Sequence, residues 1–306
     1  MQALRTQSSL ALTSAVGLSL AFLFATTAGA ASPATKEVGV NGITMTYVEE
    51  GSGEPIIFVH GAVSDLRAWE PIREAISAQH RFIAPTQRYF GTRDWADQGE
   101  KFGEATHADD IAAFIKALDL EQVHLVGWSL GANIATVVAL ENPELVRSVV
   151  LFEPAIDPLI KEGEAGNAAS EAAGKMFGPA DGAVKAGDAE QATKLLIEGV
   201  FQMEPGGWDS QAEAVRTMQL DNARTMPVMW NMPPTPVSCE MLQKSNTPVL
   251  IIYGGESNAY WRHVAEVMDE CLPQGETAVL PNVNHDGPVR DPAGLAAMIK
   301  DFVAKH

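Results

Sequence analysis

Residues 124–141 read HLVGWSLGANIATVVALE. Val123–Val126 is a short apolar run with a β-branched residue at either end, and Ile134, Val137, Val138 and Leu140 then recur at helical spacing. The stretch therefore reads as strand, tight turn and helix. The turn, Gly127-Trp128-Ser129-Leu130-Gly131, has G-x-S-x-G spacing. In such a turn the serine is held in a strained backbone conformation at the strand tip, and the flanking glycines let strand and helix approach closely. Strain of this kind costs on the order of 1–3 kcal/mol and persists where function needs it. Ser129 would stand at a helix N-terminus, whose dipole favours negative charge developing beside it. Taken alone, the five residues favour a nucleophile, with a glycine-rich strand-to-helix connection as the alternative, and the rest of the chain has to separate the two.

Outward from that turn, strands and helices alternate. Upstream, Glu37–Val40 and Ile43–Val48 alternate around Asn41-Gly42, a hairpin signal. Pro55–Val59 is a buried strand that ends in His60-Gly61-Ala62, where Gly61 allows a loop to fold back so that a backbone N–H faces a reacting oxygen. His60 reads as a hydrogen bonder that steadies this loop. A helix over 69–77, a strand over 81–85, an aromatic loop over 87–91 and an amphipathic helix over 106–118 follow, with His107 read as a surface residue. Downstream, a strand over 147–152 closes with Glu153-Pro154. This alternation predicts right-handed crossovers and a mostly parallel central sheet flanked by helices. Ligands on such a sheet bind at the carboxyl ends of the strands, where Ala62, Ser129 and Glu153 all fall.

Residues 155–246 break the alternation and read as a mostly helical cap, Ala- and Gly-rich at first, with a helix capped by Asp188 that runs to about Phe201. Met218, Met226, Met229, Trp230 and Met232 either line an adaptable apolar pocket or form the core of the cap. The alternation resumes with strands over 248–253 and 277–280 and helices over 260–272 and 292–303. His285 then lies on the loop after the last strand, at the same end of the sheet as Ser129. The expected organisation is a signal peptide over 1–30, core over 31–154, cap over 155–246 and core again over 247–306.

The chain has 306 residues, 46% of them hydrophobic, and a net charge of −18, which argues against nucleic acid and anionic membrane surfaces as partners. Arg5, the uncharged run Leu10–Phe24 and the small residues ending Ala28-Gly29-Ala30-Ala31 have the order of a secretory signal peptide cleaved after Ala30 or Ala31. Export to the periplasm or the medium is the expectation, with no membrane attachment once the signal is removed. In an oxidising compartment Cys239 and Cys271 form a possible disulfide; two buried thiols are the alternative. Their surroundings carry no metal-ligand spacing.

HGA at 60–62, GWSLG at 127–131, a cap after the sixth strand, PVLIIYGGES at 248–257 and LPNVNH at 280–285 together resemble the α/β-hydrolase superfamily over residues 38–304. The resemblance implies the α/β-hydrolase fold with a helical cap inserted after strand 6. It also implies Ser129 as nucleophile, His285 as general base, and an oxyanion hole from the N–H groups of Ala62 and Leu130. No cofactor or metal is implied. Most members carry an Asp three residues after the glycine ending the seventh strand. Here that residue is Ser257, with Glu256 one place earlier. The other acid position in the fold, used by pancreatic-type lipases and zearalenone-type lactone hydrolases, is the tip of the sixth strand, where Glu153 stands. Glu153 is the expected acid and Glu256 the alternative, with Asp157 and Asp286 remoter choices.

The implied activity is cleavage of an ester or lactone of a small, mostly apolar molecule through an acyl-enzyme on Ser129. Carbon–carbon bond hydrolysis and cofactor-free perhydrolysis are alternatives on the same residues. A ligand sensor retaining a slow triad is the alternative from another class. Trp128, Tyr89, Met229 and Trp230 are the candidate substrate contacts. Tyr89 is among them because Arg88-Tyr89-Phe90-Gly91 replaces the Asp-x-Arg-Gly turn of many relatives and would narrow the pocket.

Overall fold

The computed structural model describes residues 34–306, and the signal-peptide reading of residues 1–30 lies outside them. Near the start, β1 (Lys36–Val40) and β2 (Ile43–Glu50) pair antiparallel. Their turn residues Asn41 and Gly42 have φ of 44° and 77°, the left-handed geometry that a two-residue hairpin demands. Strand β3 (Pro55–Val59) is followed by α1 (Glu70–Ser77) and β4 (Arg81–Pro85), then by α2 (Glu104–Ala117) and β5 (Val123–Trp128). Next come α3 (Leu130–Glu141) and β6 (Val146–Phe152).

After the insertion the core continues with β7 (Val249–Gly254), α9 (Ala259–Cys271), β8 (Gly275–Leu280), α10 (Gly287–Arg290) and α11 (Pro292–Val303). The eight strands form one sheet in the order β1-β2-β4-β3-β5-β6-β7-β8, parallel from β4 to β8. The chain first steps outward from β3 to β4, then returns past β3 to lay down β5. Between β3 and β5 the winding therefore reverses, which opens a crevice at their carboxyl ends. Every residue of β5 is buried, as the absence of polar–apolar alternation in its sequence requires.

The insertion is helical: α4 (Glu164–Lys185), α5 (Ala189–Val200), α6 (Glu213–Asp221), α7 (Met226–Trp230) and α8 (Cys239–Leu242). The Ala- and Gly-rich segment, in which no element is legible from periodicity, forms the 22-residue helix α4 and accommodates Pro179 within it. The Asp188 side chain accepts the Gln191 N–H at 2.9 Å and so starts α5 where the capping signal placed it. The fully buried Asn222 pins the insertion to the core. Its amide donates to Asp65 at 2.9 Å and its carbonyl oxygen accepts the Gly91 N–H at 2.5 Å. The described residues form a single compact unit, with cap and core inside it.

Cys239 on α8 and Cys271 on α9 are joined in a disulfide across 32 residues of sequence, fastening the end of the insertion to a core helix. Closing a loop of that length removes unfolded-state entropy worth roughly 3–4 kcal/mol at the upper limit. Replacing both cysteines by serine should lower the unfolding free energy by about 2–4 kcal/mol. Urea unfolding of the parent with and without reductant should show the same difference, whereas coincident curves would mean that the bridge adds nothing.

Candidate active site

The elbow after β5 is built by clearance. A Cβ on Gly127 would come within 2.5 Å of the Ala132 Cα, and one on Gly131 would collide with the Val59 and His60 carbonyl oxygens. With both clearances met, α3 turns straight off the strand tip. Ser129 between them is left at φ 56°, ψ −122°, a strained geometry for a residue with a side chain. Its own N–H is held by the Phe152 carbonyl at 3.0 Å.

One strand over, Glu153 follows β6 with φ 47° and no exposed surface. Its Oε2 lies 2.7 Å from His285 Nδ1, and its Oε1 accepts the Gly254 N–H at 2.8 Å together with the Ser257 hydroxyl. With Nδ1 donating to the carboxylate, Nε2 is the ring nitrogen left to exchange a proton. The His285 ring stacks on Trp261 of α9, with centroids 4.0 Å apart and planes within 8°. The His285 carbonyl accepts from Trp128 Nε1 at 3.1 Å. The ring is thus fixed at its edge, its face and its backbone.

Ser129, His285, Ala62 and Leu130 all line one cavity of about 500 Å³ between the strand tips and the insertion. Most of its wall is apolar, including Phe177, Leu196, Val200, Met218 and Met232. The loop that carries Ala62 is steadied by His60. This buried ring accepts the Gln87 N–H at Nε2 (3.1 Å) and donates from Nδ1 to the Gly61 carbonyl (2.9 Å). Burial pushes the His60 pKa down to about 4, which keeps the ring neutral in this role.

The sequence profile of the alpha/beta hydrolase fold matches residues 54–292, well over half of the chain. The chain belongs to the alpha/beta hydrolase fold family. Among its relatives, a 2-(acetamidomethylene)succinate hydrolase of Mesorhizobium japonicum is 37% identical over 119 residues, 39% of this chain and 42% of the relative. A 2-hydroxymuconate semialdehyde hydrolase of a Pseudomonas species is 30% identical over 120 residues, 38% of this chain and 42% of the relative. The chain thus matches less than half the length of these curated relatives. Among solved structures, an esterase from a Rhodococcus species superposes with a TM-score of 0.70 at 22% identity, covering 88% of this chain and 98% of the other.

Within this alpha/beta hydrolase fold, several expected residues meet at the cavity and others do not. Trp128, Met229 and Trp230 line it. Tyr89 does not: its backbone turns at φ 70°, and its ring lies buried among Trp95 and Phe102, with the hydroxyl donating to Asp97 at 3.0 Å. His107 is not a surface residue either. Four residues before Ile111 and seven before Phe114, His107 falls on the apolar face of α2 and points inward at 1% exposure against Phe102 and Phe90, and burial lowers its pKa to about 3.

Glu256 faces away from His285, with its side chain 51% exposed and 3.3 Å from Arg290. Asp157 accepts the Tyr260 hydroxyl at 2.5 Å, and Asp286 accepts the Asn284 N–H at 3.3 Å. Three residues that matter to the geometry escape sequence reasoning. Trp261 looks like any core aromatic on an amphipathic helix. Ser257 carries a signal, since it occupies the usual acid position, but not one that reveals a partner for Glu153. Glu104 passes for an ordinary first-turn acid.

Glu104 is in fact 2% exposed and lines the cavity. Burial raises its pKa from 4.5 to about 7; Asn133 and the neighbouring Thr235 hydroxyl oppose the rise, and Asp157 adds to it. A carboxyl whose folded pKa is raised binds its proton more tightly when folded, so stability falls as pH climbs from about 4.5 to about 7. Glu104→Gln removes that liability. Urea midpoints should show the Gln variant gaining on the parent between pH 4.5 and pH 8 by on the order of 2–3 kcal/mol; a pH-independent difference would contradict the raised pKa.

Proposed function

We propose that this chain is an exported serine hydrolase that cleaves an ester or lactone of a small, mostly apolar molecule. The observation that carries the reading is the buried 2.7 Å contact between His285 Nδ1 and Glu153, on the wall of the cavity into which the strained Ser129 turn opens. In this mechanism the substrate carbonyl oxygen sits between the N–H groups of Ala62 and Leu130. Ser129 Oγ attacks the carbonyl carbon as its proton passes to His285 Nε2, and Glu153 stabilises the imidazolium. Collapse of the tetrahedral intermediate breaks the carbonyl–oxygen bond, and the imidazolium gives its proton to the departing alkoxide. Water then repeats the cycle on the acyl-enzyme and releases the acid. Each backbone donor of the hole is worth roughly 10²–10³ in rate.

The apolar wall supports the substrate class, and the N-terminal order of charge, apolar run and small residues supports export. A disulfide fits an oxidising compartment. Carbon–carbon bond hydrolysis is the second reading, favoured by the name of the Pseudomonas relative; analysis of products formed from a ring-fission diketone separates it from ester cleavage.

The test is turnover of p-nitrophenyl esters of graded length and of a lactone panel. Ser129→Ala should lose roughly 10⁴–10⁶ in kcat. Glu153→Gln should lose about 10³–10⁴, because an amide neither fixes the tautomer nor stabilises the imidazolium. Glu256→Gln should stay within about twofold of the parent, in keeping with an exposed side chain. Full activity in Ser129→Ala would end the reading.

A further inference from the structure

Within the mostly apolar cavity, Glu104, Asn133 and Thr235 form a hydrogen-bonded polar cluster, with Asp157 and Tyr260 also on the wall. Asn133 is fully committed there. Its Nδ2 donates to Glu104 Oε1 and to the Ala155 carbonyl, both at 2.9 Å, and its Oδ1 accepts the Ala155 N–H at 2.7 Å. The Thr235 hydroxyl accepts from the same amide at 3.4 Å. Glu104 is only partly committed: Oε2 is buried and makes no well-formed hydrogen bond among the described residues, and the Thr235 hydroxyl is the one group besides Asn133 that favours the ionised carboxyl. Buried polar atoms are almost always paired, and leaving one unmade costs the desolvation of that group. As the first residue of α2, Glu104 would ordinarily turn outward to water; here it is turned into the cavity and anchored by Asn133 through its other oxygen.

We propose that Glu104, held by Asn133 and flanked by Thr235, is a recognition subsite for a hydrogen-bond acceptor, a second carbonyl, carried by the substrate away from the bond that Ser129 attacks. The inference rests on the hydrolase reading above and narrows its substrate class to oxo-substituted esters or lactones. A carboxyl whose pKa burial raises to about 7 is protonated in a large share of molecules at neutral pH, and in that form it has an O–H to donate, which suits a ketone or ester oxygen. The spacing follows from α3. Asn133 lies four residues beyond Ser129 on the same helix, about 6 Å along its axis, which corresponds to a second carbonyl roughly four or five bonds from the first.

The experiment compares matched substrates that differ only by one carbonyl: p-nitrophenyl 5-oxohexanoate against p-nitrophenyl hexanoate, and 4-oxopentyl acetate against pentyl acetate. These pairs place the second carbonyl on the acyl and on the alcohol side respectively. The parent should prefer the oxo member of at least one pair by about tenfold or more in kcat/KM, mainly through KM, because rejecting the analogue leaves a buried donor unpaired. Glu104→Gln, which still presents an N–H donor, should keep most of that preference. Glu104→Leu should reduce it to near unity, and Glu104→Ala serves in its place if the Leu variant does not fold.

A parent that hydrolyses the alkyl esters but shows no preference in either pair would overturn the subsite while leaving the hydrolase reading intact. The same holds for a preference that survives in the Leu or Ala variant. A parent that turns over none of the four esters and is not labelled at Ser129 by a fluorophosphonate would overturn both.

Discussion

A carboxylate with no exposed surface is tolerable only if it is supplied with donors, and the supply of donors to Glu153 organises the carboxyl edge of the sheet. An isolated buried ion costs several kcal/mol even after the protein relaxes. Glu153 meets this with the Gly254 N–H, the Ser257 hydroxyl and the His285 ring. Those groups come from the tip of β7, the turn after it and the loop after β8, so two strand ends close around one side chain borne at the end of a third. Trp261 completes the arrangement by covering the His285 face, which leaves a single ring edge turned to the cavity.

The same edge stores backbone strain. Val63 after β3, Tyr89 after β4, Ser129 after β5 and Glu153 after β6 all have φ between 45° and 70°, although none is glycine. At on the order of 1–3 kcal/mol each, these conformations survive because the strands behind them are buried and cannot shift to relieve them. They also aim side chains where a relaxed loop would not. Ser129 is turned toward the cavity, Glu153 inward to its donors and Tyr89 away into an aromatic cluster with Trp95 and Phe102.

Much of the sheet was legible because its strands are uninterrupted apolar runs bounded by glycine, proline or charge; 81–85 and the helix over 292–303 coincide with the observed elements. In the cap, α5 was legible from its Asp188 start, but α4 was not, since its alanines and glycines carry no clear period. The motif spacing located Ser129 and His285 at one end of the fold, but choosing between Glu153 and Glu256 depended on which side chain turns inward. That is a tertiary fact: Glu256 is exposed beside Arg290, and Ser257 spends its hydroxyl on Glu153. His107 and Tyr89 were misread for a related reason. Both belong to an aromatic cluster assembled from separate segments, although for His107 the helical spacing to Ile111 and Phe114 already points inward.

The order of the chain gives the Glu153–His285 contact a temporal meaning. Ser129 and Glu153 arrive on neighbouring strands, but the ring that Glu153 holds comes 132 residues later, on the loop beyond β8. A nascent or truncated chain that stops short of that loop carries a serine in its strained turn and a carboxylate missing one of its three partners. The constellation is therefore completed only once the chain has passed β8, and its presence certifies that core segments on both sides of the insertion have been delivered and brought together.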